Sequence, residues 1–419
     1  MNRLIAPVIQ HINQVDLIFP NRIDLGNNVN LFWLKDIPDD TVKLDFIWNA
    51  GSIHQHKPLV ASFCNQLLFS GNNTTTSKAI ADNIDQYGGY LSHNFGKDLA
   101  GFSVFALVDT IGEVFSTIAS SFQHGYFPEK EIAKWQEIKK KDYVLNEEKV
   151  SVNARKLFTK HLFGDQHPYG RLAVLEDYEN IQRADIRNFY TEHYLSTKPS
   201  IFLVGNVDEA FITKLKSFAQ LFTNQQSAVI PNNIIQSTGQ FYKEKPKAIQ
   251  SAIRIGRLIV NKKHDDYIAL QVLNTILGGY FGSRLMANIR EDKGFTYGIG
   301  SSIVALEEAT YFAISTEVGI ASRTAALTEI YNELKRLQTE LVPNEELQVV
   351  KNYMLGSFLR NTDGAIAMME KYKAIYLQDL NESYYTDYIN GVHEMTAEKL
   401  LTVAKKYFNK NDFLEISYG

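Results

Sequence analysis

A single cysteine, Cys64, stands in a chain of 419 residues, which excludes an internal disulfide and suits a reducing compartment without requiring one. No stretch approaches the roughly 18 apolar residues needed to cross a bilayer. The segment from Met1 to Pro20 is broken by Pro7, Gln10, His11, Asn13 and Asp16, so it predicts neither a signal peptide nor an anchor. Charge of one sign is also scarce: 43 Lys and Arg against 47 Asp and Glu leave a net charge of -4. That balance provides no footprint for nucleic acid or for an anionic membrane surface. A cytoplasmic protein without either partner is the expectation. Core-forming residues, by contrast, are plentiful. Hydrophobic residues make up 45% and aromatic residues 12%, which predicts a chain folded throughout, in two or three domains for this length.

The elements repeat. In the first half, Asn30 to Leu34 and Val42 to Trp48 read as strands, the second alternating Val42, Leu44, Phe46 and Trp48. Helical stretches follow from Leu59 to Phe69 and Thr76 to Tyr87, then strands from Tyr90 to Phe95 and Gly101 to Leu107. Long helices are expected over Thr110 to Phe122 and Glu129 to Leu162, and a strand over Ser200 to Val204 closes the half. The second half replays this order with a strand over Ala252 to Ile259, helices from Asp265 to Leu277 and onward to Arg290, and strands over Phe295 to Ile303 and Thr310 to Val318. Helices over Thr324 to Leu337 and Glu345 to Leu359 and a strand over Phe413 to Ser417 complete it. Asn65 to Tyr194 spans 129 positions and Asn274 to Tyr407 spans 133, so few insertions separate the copies. The polar stretch from Thr223 to Gly239 is the linker. The prediction is an α+β protein of two homologous tandem domains, 1–235 and 236–419, each a mainly antiparallel sheet packed with helices.

One long string, Leu277-Gly278-Gly279-Tyr280-Phe281-Gly282-Ser283-Arg284-Leu285 running on to Arg290 and Gly294-Phe295-Thr296-Tyr297, resembles the second-domain signature of the pitrilysin/insulinase family of zinc metallopeptidases, which includes the mitochondrial processing peptidases. Phe163-Gly164 with His167-Pro168-Tyr169-Gly170-Arg171 resembles a first-domain segment of the same family. Active members carry His-x-x-Glu-His on the leading helix, two imidazoles for zinc and a glutamate as base. Aligned on Leu67-Leu68-Phe69-Ser70-Gly71, those positions here hold Ser62, Phe63, Cys64, Asn65 and Gln66. Both ligands and the base are replaced, so Ser62, Asn65 and Gln66 form a degenerate motif expected to bind no metal. His54 and His56 are the only close histidine pair, and no other zinc spacing occurs. Cys64 reads as a small buried hydrophobe, and Glu137, Glu147 and Glu148 as solvated helix charges.

The resemblance implies a role for Arg290 and Tyr297, which match a pair that stabilises the oxyanion of peptide hydrolysis in active members. Without that context, they read as an exposed helix arginine and a half-buried strand tyrosine. Gly278, Gly279, Gly282 and Ser283 read either as a substrate-contacting loop or as a helix break that lets two elements pack closely. They form no phosphate loop, because the Gly-Lys-Ser/Thr ending is absent. In two-chain members one subunit brings zinc and the other the Arg and Tyr pair, so the resemblance implies a heterodimer with an insulinase-like partner carrying His-x-x-Glu-His. Zinc would then sit in the partner and no cofactor in this chain, and unfolded peptide would be the substrate. The alternative is a catalytically inactive structural or peptide-binding homolog.

Overall fold

The computed structural model describes residue 12 and residues 15–72, 74–223, 225 and 234–419. Most of the Met1–Pro20 segment and the linker residues 226–233 lie outside the described residues. The first half runs β1 (Asn21–Asp24), β2 (Asn30–Leu34), β3 (Thr41–Trp48), α1 (Val60–Gln66), α2 (Ser77–Gln86), β4 (Tyr90–Phe95) and β5 (Ala100–Leu107). Helices α3 (Ile111–His124), α4 (Glu129–Glu147), α5 (Val150–Phe163), α6 (Leu175–Asn180) and α7 (Arg183–Tyr190) follow, then β6 (Ser200–Val204) and α8 (Glu209–Ala219). The second half comprises β7 (Gly239–Lys243), β8 (Gln250–Ile259), α9 (Tyr267–Asn274), β9 (Ile299–Ala305) and β10 (Thr310–Gly319). It ends with α10 (Arg323–Thr339), α11 (Asn344–Arg360), α12 (Ala365–Tyr376), α13 (Tyr384–His393), α14 (Ala397–Tyr407) and β11 (Leu414–Tyr418).

The repeat read in the sequence is a repeat of topology. One sheet has the order β1-β2-β6-β3-β5-β4 and the other β7-β11-β8-β10-β9. Apart from the extra edge strand β1, the two match strand for strand, each with one parallel pair, β2 with β6 and β7 with β11, and antiparallel pairs elsewhere. Each sheet buries one face against helices of its own half. Val42, Leu44, Phe46 and Trp48 of β3 meet α1 and α3 residues such as Phe63 and Phe115 in the first core. Ile253 and Ile255 of β8 meet Leu270, Leu273 and Ile330 in the second.

The opposite faces are covered by exchange. Helix α5 of the first half lies on β8 and β11 of the second sheet, burying Ala154, Phe158 and Leu162 against Ala252, Ala313, Leu414 and Ile416. Gly256 makes room for it, because a Cβ there would come within 2.6 Å of the Phe158 ring and 2.3 Å of the Phe312 carbonyl oxygen. In return, α12 lies on the first sheet, where Phe32 and Phe202 pack with Met369 and with Tyr372 and Tyr376. This exchange corrects the single helix expected over Glu129 to Leu162. The chain breaks at Lys149, whose backbone is extended at φ -88° and ψ 121°. Asn153 seals the break by donating Nδ2 to the Glu147 carbonyl at 2.8 Å and the Lys149 carbonyl at 3.1 Å. A straight helix would have carried the Phe158 face past the second sheet.

Charge pins α12 in place. Lys373 Nζ reaches Asp45 Oδ2 on β3 at 2.7 Å and Glu370 Oε1 at 2.6 Å, and Lys43 approaches Asp45 at 3.5 Å and pairs with Glu370. Asp45 is only 1% exposed, so its charge depends on these lysines. Lys373→Ala is expected to lower the unfolding free energy by about 3 kcal/mol, the cost of stranding a buried carboxylate, read as a reduced urea midpoint. Asp45→Leu combined with Lys373→Met should recover most of the loss. A single variant as stable as the parent would show that the pair contributes nothing.

Candidate functional site

Helix α1, where the metal motif of the resembled family would lie, is built into the core. Ser62 donates Oγ to the Leu59 carbonyl at 2.8 Å. Cys64 is fully buried, and burial alone pushes its thiol pKa far up, so no thiolate is available for attack. Asn65 is 1% exposed and donates Nδ2 to the Gly101 carbonyl on β5 at 2.9 Å and to the Tyr194 hydroxyl at 3.1 Å. Its own carbonyl meets His93 Nδ1 on β4 at 2.8 Å. The amide therefore ties α1 to the sheet and to the wide helical turn Thr191–Leu195. The matching tyrosine of the second half, Tyr407, instead donates to Asp266 Oδ2 at 3.0 Å. Gln66 is half-buried at the end of α1.

These residues do not fit zinc. Ser62 and Asn65 spend their polar atoms on backbone carbonyls, and the Asn65 donor faces oxygen, where a carboxylate base would meet repulsion. Among the described residues no group of three or more His, Cys, Asp and Glu side chains is arranged to hold a metal ion. Glu137 pairs with Lys141 at 2.7 Å, Glu147 with Lys156, and Glu148 with Lys245 at 2.8 Å, all serving as ordinary helix charges.

Beside α1 the fold assembles a pair that spacing did not reveal. His54 and His193, far apart in sequence, place their rings 5.5 Å apart, with His54 Nε2 and His193 Nδ1 buried and unpartnered among the described residues. Burial first, and then neighbouring imidazole charge, lowers both pKa values to about 4. The Phe163 to Arg171 segment has a different task. Tyr169 hydrogen-bonds Asp98 Oδ1 through its hydroxyl and takes Lys97 Nζ on its carbonyl at 2.8 Å, while Asp98 Oδ2 accepts from the Glu307 amide at 3.1 Å. It latches a first-half loop to the β9–β10 turn.

The second-half residues lie on a braced surface. Gly278 sits where a Cβ would come within 2.6 Å of the Ser301 amide nitrogen, Gly279 lies against the Asn274 carbonyl and Gly282 against the Tyr280 ring. Ser283 is 1% exposed with its hydroxyl buried. Tyr280 packs against Tyr353 of α11 with ring centroids 4.8 Å apart and planes tilted by 34°, and Arg284 grips Glu346 with two bonds of 2.8 and 2.7 Å. What this segment presents outward is Phe281, 65% exposed, with the Arg290 guanidinium 4.8 Å over its ring. Arg290 belongs to a wide helical turn, Met286–Asp292. Tyr297 is not on the expected strand, since β9 begins at Ile299. Thr296 replaces the ladder there, donating Oγ1 to the Glu317 carbonyl at 2.7 Å and accepting from the Gly298 amide at 3.1 Å. Tyr297 stands on the resulting loop, 94% exposed. It borders a groove of about 430 Å³ shared with Ser151, Arg254, Ser315 and Glu317. Arg290 and Tyr297 lie on one connected segment but share no hydrogen bond among the described residues.

Two outcomes follow from this geometry. Asn65→Asp should destabilise the fold by about 2 kcal/mol at pH 7, because a buried carboxylate then faces the Gly101 carbonyl, and zinc should remain unbound by metal analysis; parental stability would refute the structural role of the amide. For the parent protein, the unfolded chain binds more protons than the folded one between pH 6.5 and 4, because His54 and His193 are depressed only when folded. Their contribution is present above pH 6.5 and is lost as pH falls to about 4. Urea midpoints across that window should fall less steeply in His54→Gln/His193→Gln, and identical slopes would remove the pair as the cause.

Comparison with known proteins places the family and the fold. The family described as Insulinase (Peptidase family M16) matches residues 32–168, and that described as Peptidase M16 inactive domain matches residues 180–354. An uncharacterized zinc protease, YmxG of Bacillus subtilis, is 22% identical over 87% of this chain and 90% of its own length. Among solved structures, a peptidase M16 inactive domain from Pseudomonas fluorescens superposes with a TM-score of 0.87 at 21% identity, covering 96% of this chain and 98% of that one. A protease from Helicobacter pylori gives 0.84 at 16%, covering 96% and 100%. Two sheets repeated in one topology, matched along both halves by the family's own domains, make this chain a member of the insulinase family of peptidases, M16.

Proposed function

We propose that the chain is the non-zinc subunit of a two-chain M16 peptidase acting on unfolded peptides, working in the cytoplasm with a partner that carries His-x-x-Glu-His. In this reading Arg290 and Tyr297 reach the partner's reaction centre and stabilise the negative charge that develops on the scissile carbonyl oxygen. The observation that carries it is Tyr297, a 94% exposed tyrosine held on a loop fixed by Thr296 and hydrogen-bonded to nothing in its own chain among the described residues. An amphipathic ring displayed in this way is ready to meet another molecule. Asn65 supports the same division of labour, because the position that would supply a base is spent on the fold. No helix among the described residues is long and apolar enough to cross a membrane.

The test pairs this chain with a zinc-bearing M16 subunit and follows cleavage of an unstructured peptide. Tyr297→Phe and Arg290→Lys should each lower kcat by about 10²-fold with KM little changed and the complex intact on gel filtration. Unchanged turnover in both variants would sink the transition-state role. Saturable peptide binding without hydrolysis in any pairing would establish the peptide-binding homolog instead.

A further inference from the structure

The groove beside Tyr297 contains a cation, Arg254, that no side chain among the described residues engages in a hydrogen bond or ion pair. Arg254 lies on the face of β8 that α5 covers, in line with Ala252 and Gly256 and opposite Ser315 on β10 and Ile416 on β11. Much of that face is small or apolar: Ala252, Ala313, Leu414 and Ile416 are all buried. Arg254 itself is half-buried, and it makes no hydrogen bond or ion pair with another side chain among the described residues. A guanidinium offers five donors and accepts nothing, so withdrawing it from water without a partner costs free energy.

A second guanidinium makes the position worse. Arg155, exposed on α5 one turn beyond the groove-lining Ser151, lies close enough to disfavour the charge on Arg254; after burial it is the main cause that lowers the Arg254 pKa. Among the described residues Arg155 closes no ion pair either. Lys97 adds a third positive charge felt alongside Arg155, although its ammonium is spent on the Tyr169 carbonyl. Of the groove's lining residues only Glu317 is acidic, and it stands across from Ala252, one pair further along the ladder, without closing an ion pair on Arg254. Two arginines against one carboxylate, Glu317, which favours the Arg254 charge without closing an ion pair on it, leave the groove positive where it meets Tyr297.

We infer that Arg254 and Arg155 form a carboxylate subsite beside Tyr297, selecting peptides that bring an acidic side chain or a free C-terminus into the groove. A planar carboxylate matches the guanidinium fork with two parallel hydrogen bonds, and Ser151 and Ser315 offer hydroxyls at its flanks. The groove, about 430 Å³, accommodates a few side chains rather than a folded domain. The inference deepens the proposed function by naming the substrate class, and it rests on peptide lying along the Tyr297 surface.

Binding to the full chain alone tests it, with no zinc-bearing partner present. Fluorescence anisotropy would compare four labelled unstructured decapeptides: one with two internal glutamates and a free C-terminus, one with those glutamates changed to glutamine, one amidated, and one with both changes. The acidic peptides should bind at least 10-fold more tightly than the doubly neutral one, and the advantage should shrink between 50 and 500 mM salt. The two intermediate peptides identify which carboxylate enters. Arg254→Gln and Arg155→Gln should each reduce the preference to near unity, while Arg254→Lys, with an unchanged thermal melt, should retain part of it. Equal affinity for acidic and neutral peptides, a preference that survives Arg254→Gln, or no binding of any of the four would each overturn the subsite. If the preference holds while no pairing yields hydrolysis, the subsite stands and the catalytic reading falls.

Discussion

The constraint on which the rest of this structure depends is that neither sheet can be covered by its own half. Helices of the first half bury one face of the first sheet, and helices of the second half bury one face of the second, but each sheet has another face carrying apolar residues. Exchange of α5 and α12 covers both. Separating the halves would expose Phe158 and Leu162 on one side and Phe32 and Phe202 on the other, an area whose hydration is unfavourable. The Asp45–Lys373 pair adds directional specificity to the apolar contact, because a carboxylate buried under α12 admits a lysine at one register only. The Tyr169–Asp98–Glu307 latch holds the halves together at another point.

Helix α1, where the resembled family carries its metal motif, leaves no gap in the core. Asn65 bridges α1, β5 and the Tyr194 turn through a donor that a carboxylate lacks, and Cys64 and Phe63 pack beside it with almost no exposure. Asn65, which has no titratable carboxylate, supplies hydrogen bonds to the scaffold. Likeness of fold to family M16 does not require chemistry at this position, because function lives in the site and not in the fold.

The surface of the second half is rigid where it is most exposed. Gly278 against Ser301, Tyr280 on Tyr353 and Arg284 on Glu346 fix the segment that displays Phe281 and Arg290. Thr296 fixes the loop that displays Tyr297. Groups held in this manner meet a ligand without first paying to be ordered. The groove that begins at Tyr297 is itself a product of helix exchange, since Ser151 of α5 forms one wall and β8 and β10 the other.

Periodicity and repetition along the chain determined most of the architecture: strands alternating in period two, a helix break at Gly278-Gly279, and a second half in the order of the first. Local pattern suffices there, because these elements, α5 and α12 excepted, bury a face within their own half. That Ser62, Asn65 and Gln66 are poor metal ligands is read from residue type alone, since ligand chemistry depends on it. Tertiary structure decided what local pattern does not encode. Apolar spacing runs without interruption through Glu129 to Leu162, so only the distant sheet that receives Phe158 reveals the break at Lys149. Strand-like residues from Phe295 to Tyr297 are kept off the ladder by a Thr296 side chain bonded to Glu317, a partner supplied by β10. The His54–His193 pair and the groove that joins Ser151 to Arg254 unite residues from separate elements, brought together by packing and not by spacing in the sequence.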